Sequence, residues 1–279
     1  MYFFKVIKKL WQKKLFLCIG LDSDYFKIPT DIKKGSGVTK TIFTFNKKII
    51  DTTKNYVCCY KPNLAFYESA GEKGITALRK TIDYVHKNYP LISILLDAKK
   101  SDVENTSIAY SQFVFDYLKA DAVTLNPYLG YDSLLPFIKR KNKGIFILAK
   151  TSNPDSSEFQ DLIVNHPKLK KVPLYQAVAF QVANVWNKYG NCGLVVGATY
   201  PAQLGQIRKI APSLPILIPG IGTQKGDLKK TIQNAKDKNN QGFIINSSRD
   251  IIFASIKKDF AQTAKKQAKI ISTKITQTL

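Results

Sequence analysis

Histidine is scarce in this sequence of 279 residues, in which only His86 and His166 occur. His86 follows a helical pattern, and His166 is expected in a polar loop. A histidine-based metal site or a Ser-His-Asp triad would have to use one of these two side chains, and neither has suitable neighbours in the sequence. The sequence therefore argues against catalysis by histidine.

Cysteine is also rare, and its four copies, Cys18, Cys58, Cys59 and Cys192, form no C-x-x-C pair. All four lie in apolar runs, where a reduced cysteine acts as a small hydrophobic residue. No apolar run approaches the roughly 18 residues that span a bilayer. Lysines interrupt the N-terminal segment, which predicts a short amphipathic helix and not a signal peptide. We expect a soluble, cytoplasmic protein with reduced thiols and no membrane association.

Acidic residues are outnumbered, 20 against 43 lysines and arginines, which gives a formal net charge of +23. Only four of the basic residues are arginine, and the lysines are spread along the chain. Because no aromatic-interleaved basic motif accompanies them, we interpret the lysines as solvated helix faces and predict no nucleic-acid partner. A positive field would still attract an anionic small substrate.

Apolar, β-branched runs alternate with longer segments of helical periodicity, such as 74–87 and 106–119, which is typical of β-α-β units and a parallel sheet. The repetition predicts an α/β fold. We expect a single (β/α)8 TIM barrel domain over 1–279 with a short N-terminal helix, in preference to an open doubly wound sheet. The eight candidate strands are residues 15–22, 56–63, 92–99, 122–128, 144–152, 193–199, 215–222 and 242–248.

Charged residues gather where the predicted strands end, which is the face of a barrel that carries function. Asp97 and Lys99 are two residues apart at the end of the third strand, so strand geometry would put both side chains on one face. Lys61 ends the second strand, and Asp102 follows Lys99 by three residues. Two lysines and two carboxylates at one barrel mouth must pair or serve chemistry, because isolated buried charges are costly.

The last two strand ends indicate a phosphate site. Gly220 and Gly222 permit close backbone approach after the seventh strand, and Arg249 follows the eighth strand just before a helix expected near Asp250. Helix N-termini at this position of a barrel commonly bind phosphate, and an arginine can hold it in a bidentate manner. The residues alone therefore predict a barrel enzyme that acts on a phosphorylated substrate through lysines and aspartates, without a metal.

The run from Asp97 to Asp102, D-x-K-x-x-D with Thr106 four residues further on, resembles the signature of the orotidine 5′-phosphate decarboxylase family, and of its longer subgroup in particular. The resemblance covers roughly residues 15–255. The other blocks that carry it, in the family's order, are LCIGLD (17–22), YKPNLAFYE (60–68), DAVTLNPYLG (121–130), TSNP (151–154), VVGATYP (195–201), PGIGTQKGD (219–227) and NSSR (246–249).

The resemblance implies the cofactor-free decarboxylation of orotidine 5′-phosphate to UMP, the last step of de novo pyrimidine synthesis. It also implies a homodimer in which Asp102 and Thr106 reach the partner subunit's site. By position, the remaining roles would be the following: Lys99 protonates C6 of the pyrimidine, Asp97 lies beside the substrate carboxylate, Lys61 completes the charged chain, Asp22 binds the ribose, Ser152 the pyrimidine, and Gln224 and Arg249 the phosphate, with a backbone contact from Gly222.

The sequence departs from the family pattern at a few positions. The subgroup's common D-x-K-R-G-D has Lys100 and Ser101 here, and Lys225 replaces a glycine in the loop after the seventh strand, a candidate closing lid. We expect activity to be retained. The Lys-rich tail, 263–279, is expected to be a partly helical, solvated end.

Three alternatives stay open. A class I aldolase-like barrel would form a Schiff base on Lys99 or Lys61, although flanking carboxylates favour the protonated, non-nucleophilic amine. A metal-dependent relative with the same D-x-K-x-x-D run would be sensitive to chelators. A catalytically retired barrel that binds nucleic acid would lose affinity steeply as salt rises.

Overall fold

A computed structural model describes residues 2–221 and 227–279 of the chain. Eight parallel strands close into a barrel in the order β1-β10-β9-β8-β5-β4-β3-β2, and β6 pairs with β7 in a separate antiparallel hairpin. The strands are β1 (Leu17–Leu21), β2 (Val57–Pro62), β3 (Ser93–Leu96), β4 (Ala122–Leu125), β5 (Gly144–Lys150), β6 (Ile163–His166), β7 (Lys170–Pro173), β8 (Cys192–Val196), β9 (Ile216–Ile218) and β10 (Phe243–Ser247).

Helices follow the barrel strands and cover them from outside. Within the described ranges, no helix is both long and apolar enough to cross a membrane. The helices are α1 (Phe3–Gln12), α2 (Thr30–Lys33), α3 (Val38–Thr53), α4 (Leu64–Glu68), α5 (Gly71–Asn88), α6 (Glu104–Gln112), α7 (Tyr131–Ile138), α8 (Ser157–Gln160), α9 (Leu174–Gln181), α10 (Pro201–Ile210), α11 (Leu228–Ala235), α12 (Arg249–Ile252) and α13 (Phe260–Thr278).

The barrel predicted from the sequence is confirmed, with each of the eight strands inside or within one residue of its expected range. The strands are shorter than the apolar runs because the chain leaves the ladder where functional loops begin. The expectation that His166 lies in a polar loop is wrong. His166 ends β6 with only 9% of its surface exposed, and its ring packs at 4.8 Å from that of Phe180.

The N-terminal helix closes the end of the barrel opposite the carboxyl ends of the strands. Its apolar residues recur every three or four positions and are all buried, Phe3, Val6 and Leu10 among them. Phe3 and Phe4 pack edge-to-face on Phe146 of β5, with ring centroids 5.9 and 5.5 Å apart. This end of the barrel is therefore an aromatic plug, which leaves the opposite end as the place for a site.

The basic tail is more regular than expected. It forms α13, a helix of 19 residues whose buried positions, Phe260, Ala264, Ala268 and Ile275, lie four or seven residues apart on one face. The lysines of this helix fall between those positions, where they stay in solvent. The same division of faces explains how so many lysines fit a folded chain without disturbing its core.

Candidate active site

Three charged side chains converge at the carboxyl ends of β2 and β3. The Lys61 ammonium lies 2.6 Å from Oδ2 of Asp97, and the Lys99 ammonium lies 2.5 Å from Oδ1. The hydroxyl of Thr124, in β4, donates to the same Oδ1 at 2.8 Å. One carboxylate thus accepts from three donors, which fix its position. Because two ammonium groups face a single carboxylate, the array carries a net positive charge.

The backbone around Asp97 explains how the array is held. The Asp97 amide donates to the carbonyl of Pro62 at 2.9 Å, and the Leu64 amide donates to the carbonyl of Asp97 at 3.1 Å. These bonds fasten the loops after β2 and β3 to each other. Asp97 and Lys61 therefore approach each other because two neighbouring strand ends are joined at this point.

Strand alternation is the wrong reason for the approach of Lys99 to Asp97. The strand ends at Leu96, and Lys99 has a left-handed backbone with φ of 52°. The Lys99 amide donates to Oγ1 of Thr124 at 3.1 Å, which holds this unfavourable conformation in place. The same threonine hydroxyl therefore orients both the backbone of Lys99 and the carboxylate that Lys99 contacts. Strained backbone of this kind is common at functional sites.

Burial and charge act in opposite directions on this array. Burial alone raises the pKa of the Asp97 carboxyl, but the ammonium groups of Lys61 and Lys99 outweigh it and hold that pKa well below its ordinary value. Burial alone lowers the pKa of Lys61, but the carboxylates of Asp97 and Asp22 outweigh it and raise that pKa above its ordinary value. Both groups are therefore charged at neutral pH.

Exposure separates the two lysines. The side chain of Lys61 is 4% exposed and that of Lys99 is 47% exposed. Lys61 thus fixes the carboxylate from beneath, whereas Lys99 presents its ammonium to the open mouth of the barrel. Of the three charged side chains, that of Lys99 is the most exposed, whereas Lys61 and Asp97 line the adjoining cleft.

The fourth predicted member of the array lies apart from it. The carboxylate of Asp102 accepts a hydrogen bond from the amide of Val103 at 2.7 Å, and it forms no ion pair with any residue in 2–221 or 227–279. Thr106, in α6, is half-buried. The expected convergence of two lysines and two carboxylates within one chain is therefore met by Lys61, Asp97 and Lys99 and not by Asp102.

A cleft of about 190 Å³ opens beside the array. Asp22 and Asn246 bring unsatisfied acceptors to it, because Oδ1 of each is buried and has no hydrogen-bond partner among the described residues. Such atoms can accept the hydroxyl or N–H donors of a ligand. The cleft is lined by Asp22, Lys61, Asn63, Asp97, Ser152, Pro219, Gly220, Ile221, Asn246, Ser248 and Arg249.

Two glycines allow the walls of the cleft to approach each other. A Cβ on Gly20 would lie 2.6 Å from Cβ of Ser248, whose hydroxyl donates to the Gly20 carbonyl at 3.1 Å. A Cβ on Gly197 would lie 2.7 Å from Cα of Ser152. Both positions require glycine, because the side chain of Ser248 at Gly20 and the backbone of Ser152 at Gly197 occupy the space of a Cβ.

The candidate phosphate residues are only partly within the described chain. Arg249 begins α12, lines the cleft with an exposed side chain, and forms no ion pair with a described residue. Gly222, Gln224 and Lys225 lie outside the described residues. The exposed guanidinium of Arg249 can therefore bind an anion at the edge of the cleft.

The two departures in the signature fall on residues that brace loops. Lys100 pairs with Glu68 at the end of α4 and lies over the ring of Tyr110, with its ammonium 5.2 Å from the ring centroid. The hydroxyl of Ser101 donates to the carbonyl of Asn126 at 2.6 Å. Both side chains link the loop after β3 to its neighbours and do not contact Asp97.

Sequence reasoning missed Thr124 and Lys150. Thr124 is a polar residue in an apolar strand, and Lys150 is a charged residue at the end of another, with 0% of its side chain exposed. A buried polar residue within an apolar run is the signal that could have identified both. Among the described residues, no group of three or more His, Cys, Asp or Glu side chains could hold a metal ion.

Comparisons with known proteins agree on one family. A sequence profile of the orotidine 5′-phosphate decarboxylase / HUMPS family matches residues 16–267. The chain is similar to proteins named orotidine 5′-phosphate decarboxylase from Cellvibrio japonicus, at 42% identity over 95% of this chain and 94% of the relative, and from Herpetosiphon aurantiacus, at 44% identity over 90% and 89%.

Solved structures show the same likeness. The OMP decarboxylase of Leishmania donovani aligns with a TM-score of 0.82 and 35% identity over 99% of both chains. The UMP synthase of the same organism aligns with a TM-score of 0.84 and 36% identity over 99% of this chain but 57% of that one. The likeness to UMP synthase is therefore confined to part of that protein.

Proposed function

This chain belongs to the orotidine 5′-phosphate decarboxylase / HUMPS family, and we propose a role for each of its site residues in the decarboxylation reaction. The reaction is the decarboxylation of orotidine 5′-phosphate to UMP and CO2, in pyrimidine biosynthesis. The observation that carries the proposal is the array in which Lys61 and Lys99 share the carboxylate of Asp97. Because its two ammonium groups supply fixed positive charge where negative charge develops, we propose a reaction that needs no metal or organic cofactor.

Lys99 is the proton donor in this proposal. When the bond between C6 and the carboxylate carbon breaks, CO2 leaves and the electron pair stays on C6, where no π system delocalises it. An ammonium already oriented toward C6 stabilises that developing charge without reorganisation and then transfers its proton to C6. The exposure of Lys99 at the mouth of the barrel supports this role.

Asp97 and Lys61 hold the donor in place. The carboxylate of Asp97 contacts both ammonium groups, and buried Lys61 keeps that carboxylate ionised and fixed in position. Asp97 lies beside the substrate carboxylate in this proposal, and repulsion between the two carboxylates favours loss of CO2.

The cleft residues bind the rest of the nucleotide. Asp22, whose buried Oδ1 has no partner within 2–221 and 227–279, accepts hydrogen bonds from the ribose hydroxyls, and Ser152 contacts the pyrimidine. Arg249, with Gln224 and the backbone of Gly222, binds the phosphate. Binding energy at the phosphate contributes to the chemical step because it fixes C6 against Lys99.

Asp102 and Thr106 act across a homodimer interface in this proposal. The absence of an ion pair for Asp102 within the described chain leaves its carboxylate available to a second copy. We further assign residues 1–279 to one barrel domain that acts in the cytoplasm, with no nucleic-acid partner and no membrane association.

The proposal is tested by the ultraviolet loss of orotidine 5′-phosphate on incubation with the purified protein in EDTA, beside the variant Lys99→Ala. We expect turnover that survives EDTA and is lost in the variant, while UMP still binds to both proteins. Turnover that disappears with EDTA would support the metal-dependent alternative. Turnover that Lys99→Ala retains would remove Lys99 from the mechanism.

The remaining alternatives predict different results. A Schiff-base lyase would be trapped covalently on Lys99 or Lys61 by borohydride in the presence of a carbonyl substrate. A nucleic-acid-binding barrel would bind DNA or RNA with affinity that falls steeply with salt and is indifferent to Lys99→Ala. We expect neither result.

A further inference from the structure

Lys150 is a buried cation that the proposed reaction does not use. It ends β5, 0% of its side chain is exposed, and its ammonium lies 2.9 Å from Oδ1 of Asp161, which is 37% exposed. The ammonium also lies 4.5 Å from the ring centroid of Tyr200. Burying a lysine beside one partly solvated carboxylate is unfavourable compared with an apolar residue, so stability alone does not account for it.

The ion pair joins the two ends of one loop. Residues 151–160 leave the barrel after Lys150 and return at Asp161, so the contact between these two residues closes the loop at its base. The next pair of residues inward, Thr151 and Gln160, also joins the two ends of the loop by hydrogen bonds. The Thr151 amide donates to Oε1 of Gln160 at 2.8 Å, and Nε2 of Gln160 donates to Oγ1 of Thr151 at 2.8 Å.

Ser152 lies in this closed loop and lines the candidate cleft. Its carbonyl accepts a hydrogen bond from Oγ1 of Thr199 at 3.4 Å, and the adjacent Asn153 carbonyl accepts one from the hydroxyl of Tyr200 at 3.3 Å. Tyr200 thus contacts the Lys150 ammonium with its ring and the segment after Ser152 with its hydroxyl. The position of Ser152 depends on both.

We propose that Lys150, Asp161 and Tyr200 form a clasp that positions Ser152 against the pyrimidine of the bound nucleotide. This inference rests on the proposed function, in which Ser152 contacts the base. Lys150 is a positioning residue and does not touch the substrate. The clasp acts on recognition of the base, whereas the array of Lys61, Asp97 and Lys99 acts on the bond that breaks.

The clasp is tested by comparing two ligands that differ in the base. Calorimetric titration with UMP and with ribose 5-phosphate is carried out on the unsubstituted protein, on Asp161→Asn and on Lys150→Met. We expect Asp161→Asn to weaken UMP binding roughly tenfold, the size of one lost hydrogen bond to the base, with ribose 5-phosphate affected less than about twofold. Asp161→Glu, which keeps the charge, should recover part of the UMP affinity.

A matched control and a double variant separate positioning from general damage. Asp116→Asn makes the same substitution in a solvent-exposed ion pair, that with Arg140, whose residues do not line the cleft, and it should change neither affinity. Ser152→Ala should weaken UMP binding in the unsubstituted protein but add little in Asp161→Asn, because the serine is already displaced there. If Asp161→Asn weakens both ligands equally, or if the two losses are additive, the clasp is overturned.

Measurements on the unsubstituted protein distinguish failure of the clasp from failure of the proposed function. If it binds UMP but does not decarboxylate orotidine 5′-phosphate, the proposed function fails, and the difference between the two ligands still decides the clasp. If it does not bind UMP at all, both are overturned. Asp161 is partly solvated, so its isosteric replacement should fold even where Lys150→Met does not.

Discussion

The two ends of the barrel are built from opposite kinds of side chain. At the end covered by α1, aromatic rings pack on one another: Phe3 and Phe4 against Phe146, and Phe16 stacked on Phe243 with centroids 4.7 Å apart. At the other end, two ammonium groups meet one carboxylate beside oxygens of Asp22 and Asn246 that have no hydrogen-bond partner among the described residues. The first arrangement is favourable in every contact, and the second carries desolvated charge.

The difference shows how one fold separates stability from chemistry. Burial of aromatic surface at the closed end offsets the unfavourable burial of Lys61 and Asp97 at the open end. The strands connect the two ends, so the charged residues stand on a rigid support that does not itself take part in the reaction. Substitutions at the two ends should therefore affect different measurements.

Asp97→Asn should have the largest effect, on both activity and stability. Without its charge, Lys99 loses its orienting partner, and we expect kcat to fall by about 10³-fold or more. Buried Lys61 also loses its counter-ion, which should reduce the free energy of unfolding by about 3–5 kcal/mol. Steady-state kinetics and urea denaturation measure the two effects. Unchanged stability in this variant would mean that the Asp97 carboxylate does not compensate for the burial of Lys61.

Phe146→Ala is the corresponding change at the closed end. Removing a fully buried ring that contacts two others should lower the free energy of unfolding by about 3–5 kcal/mol, with little change in kcat. Phe26→Ala, at a ring that is 87% exposed, is the control and should stay within about 0.5 kcal/mol of the unsubstituted protein. A loss of kcat comparable to that of Asp97→Asn would contradict the separation of the two ends.

Lowering the pH should reduce the stability that the charged array at the open end provides. The pKa of Asp97 is held below its ordinary value in the folded chain, because the two lysines outweigh burial. The stabilisation that this provides is complete above the unfolded pKa of about 4 and is lost as pH falls below it, at no more than about 1.4 kcal/mol per pH unit for this proton. Denaturation between pH 5 and pH 2 should show a shallower slope for Asp97→Asn than for the unsubstituted chain. Equal slopes would show that Asp97 gains no protection from the lysines.

The closed end and the barrel strands could be predicted from sequence because each depends on local pattern. Apolar runs bounded by turns marked the eight strands, and the lysine-interrupted apolar N-terminus indicated the short amphipathic helix that the structure gives as α1. The hairpin of β6 and β7 was not predicted, because its only apolar run is three residues long and is largely exposed, with Ile163 itself 64% exposed. Nothing in such a segment distinguishes a strand from a polar loop.

The open end was predicted in part. The sequence predicted that Lys61 and Asp97 lie at adjacent strand ends, because the carboxyl ends of parallel strands meet at one edge of the sheet. The left-handed backbone of Lys99 was not, because it depends on a hydrogen bond from its amide to Thr124, which lies 25 residues further along the chain. The pairing of Lys150 with Asp161 likewise depends on how a loop closes, which residue spacing does not determine.

The smallest effect is expected at Lys100, which follows the key lysine yet takes no part in the array. Its pair with Glu68 is partly solvated, with 28% and 43% of the two side chains exposed, so Lys100→Ala should change the free energy of unfolding by less than about 1 kcal/mol. We expect kcat to stay within about threefold of the unsubstituted value, a barrier change below 1 kcal/mol. A fall of kcat like that of Lys99→Ala would instead mean that the Lys100–Glu68 pair holds the Asp97–Asp102 loop in its active position. The charged groups that activity requires at the open end would then include this pair as well as Lys61, Asp97 and Lys99.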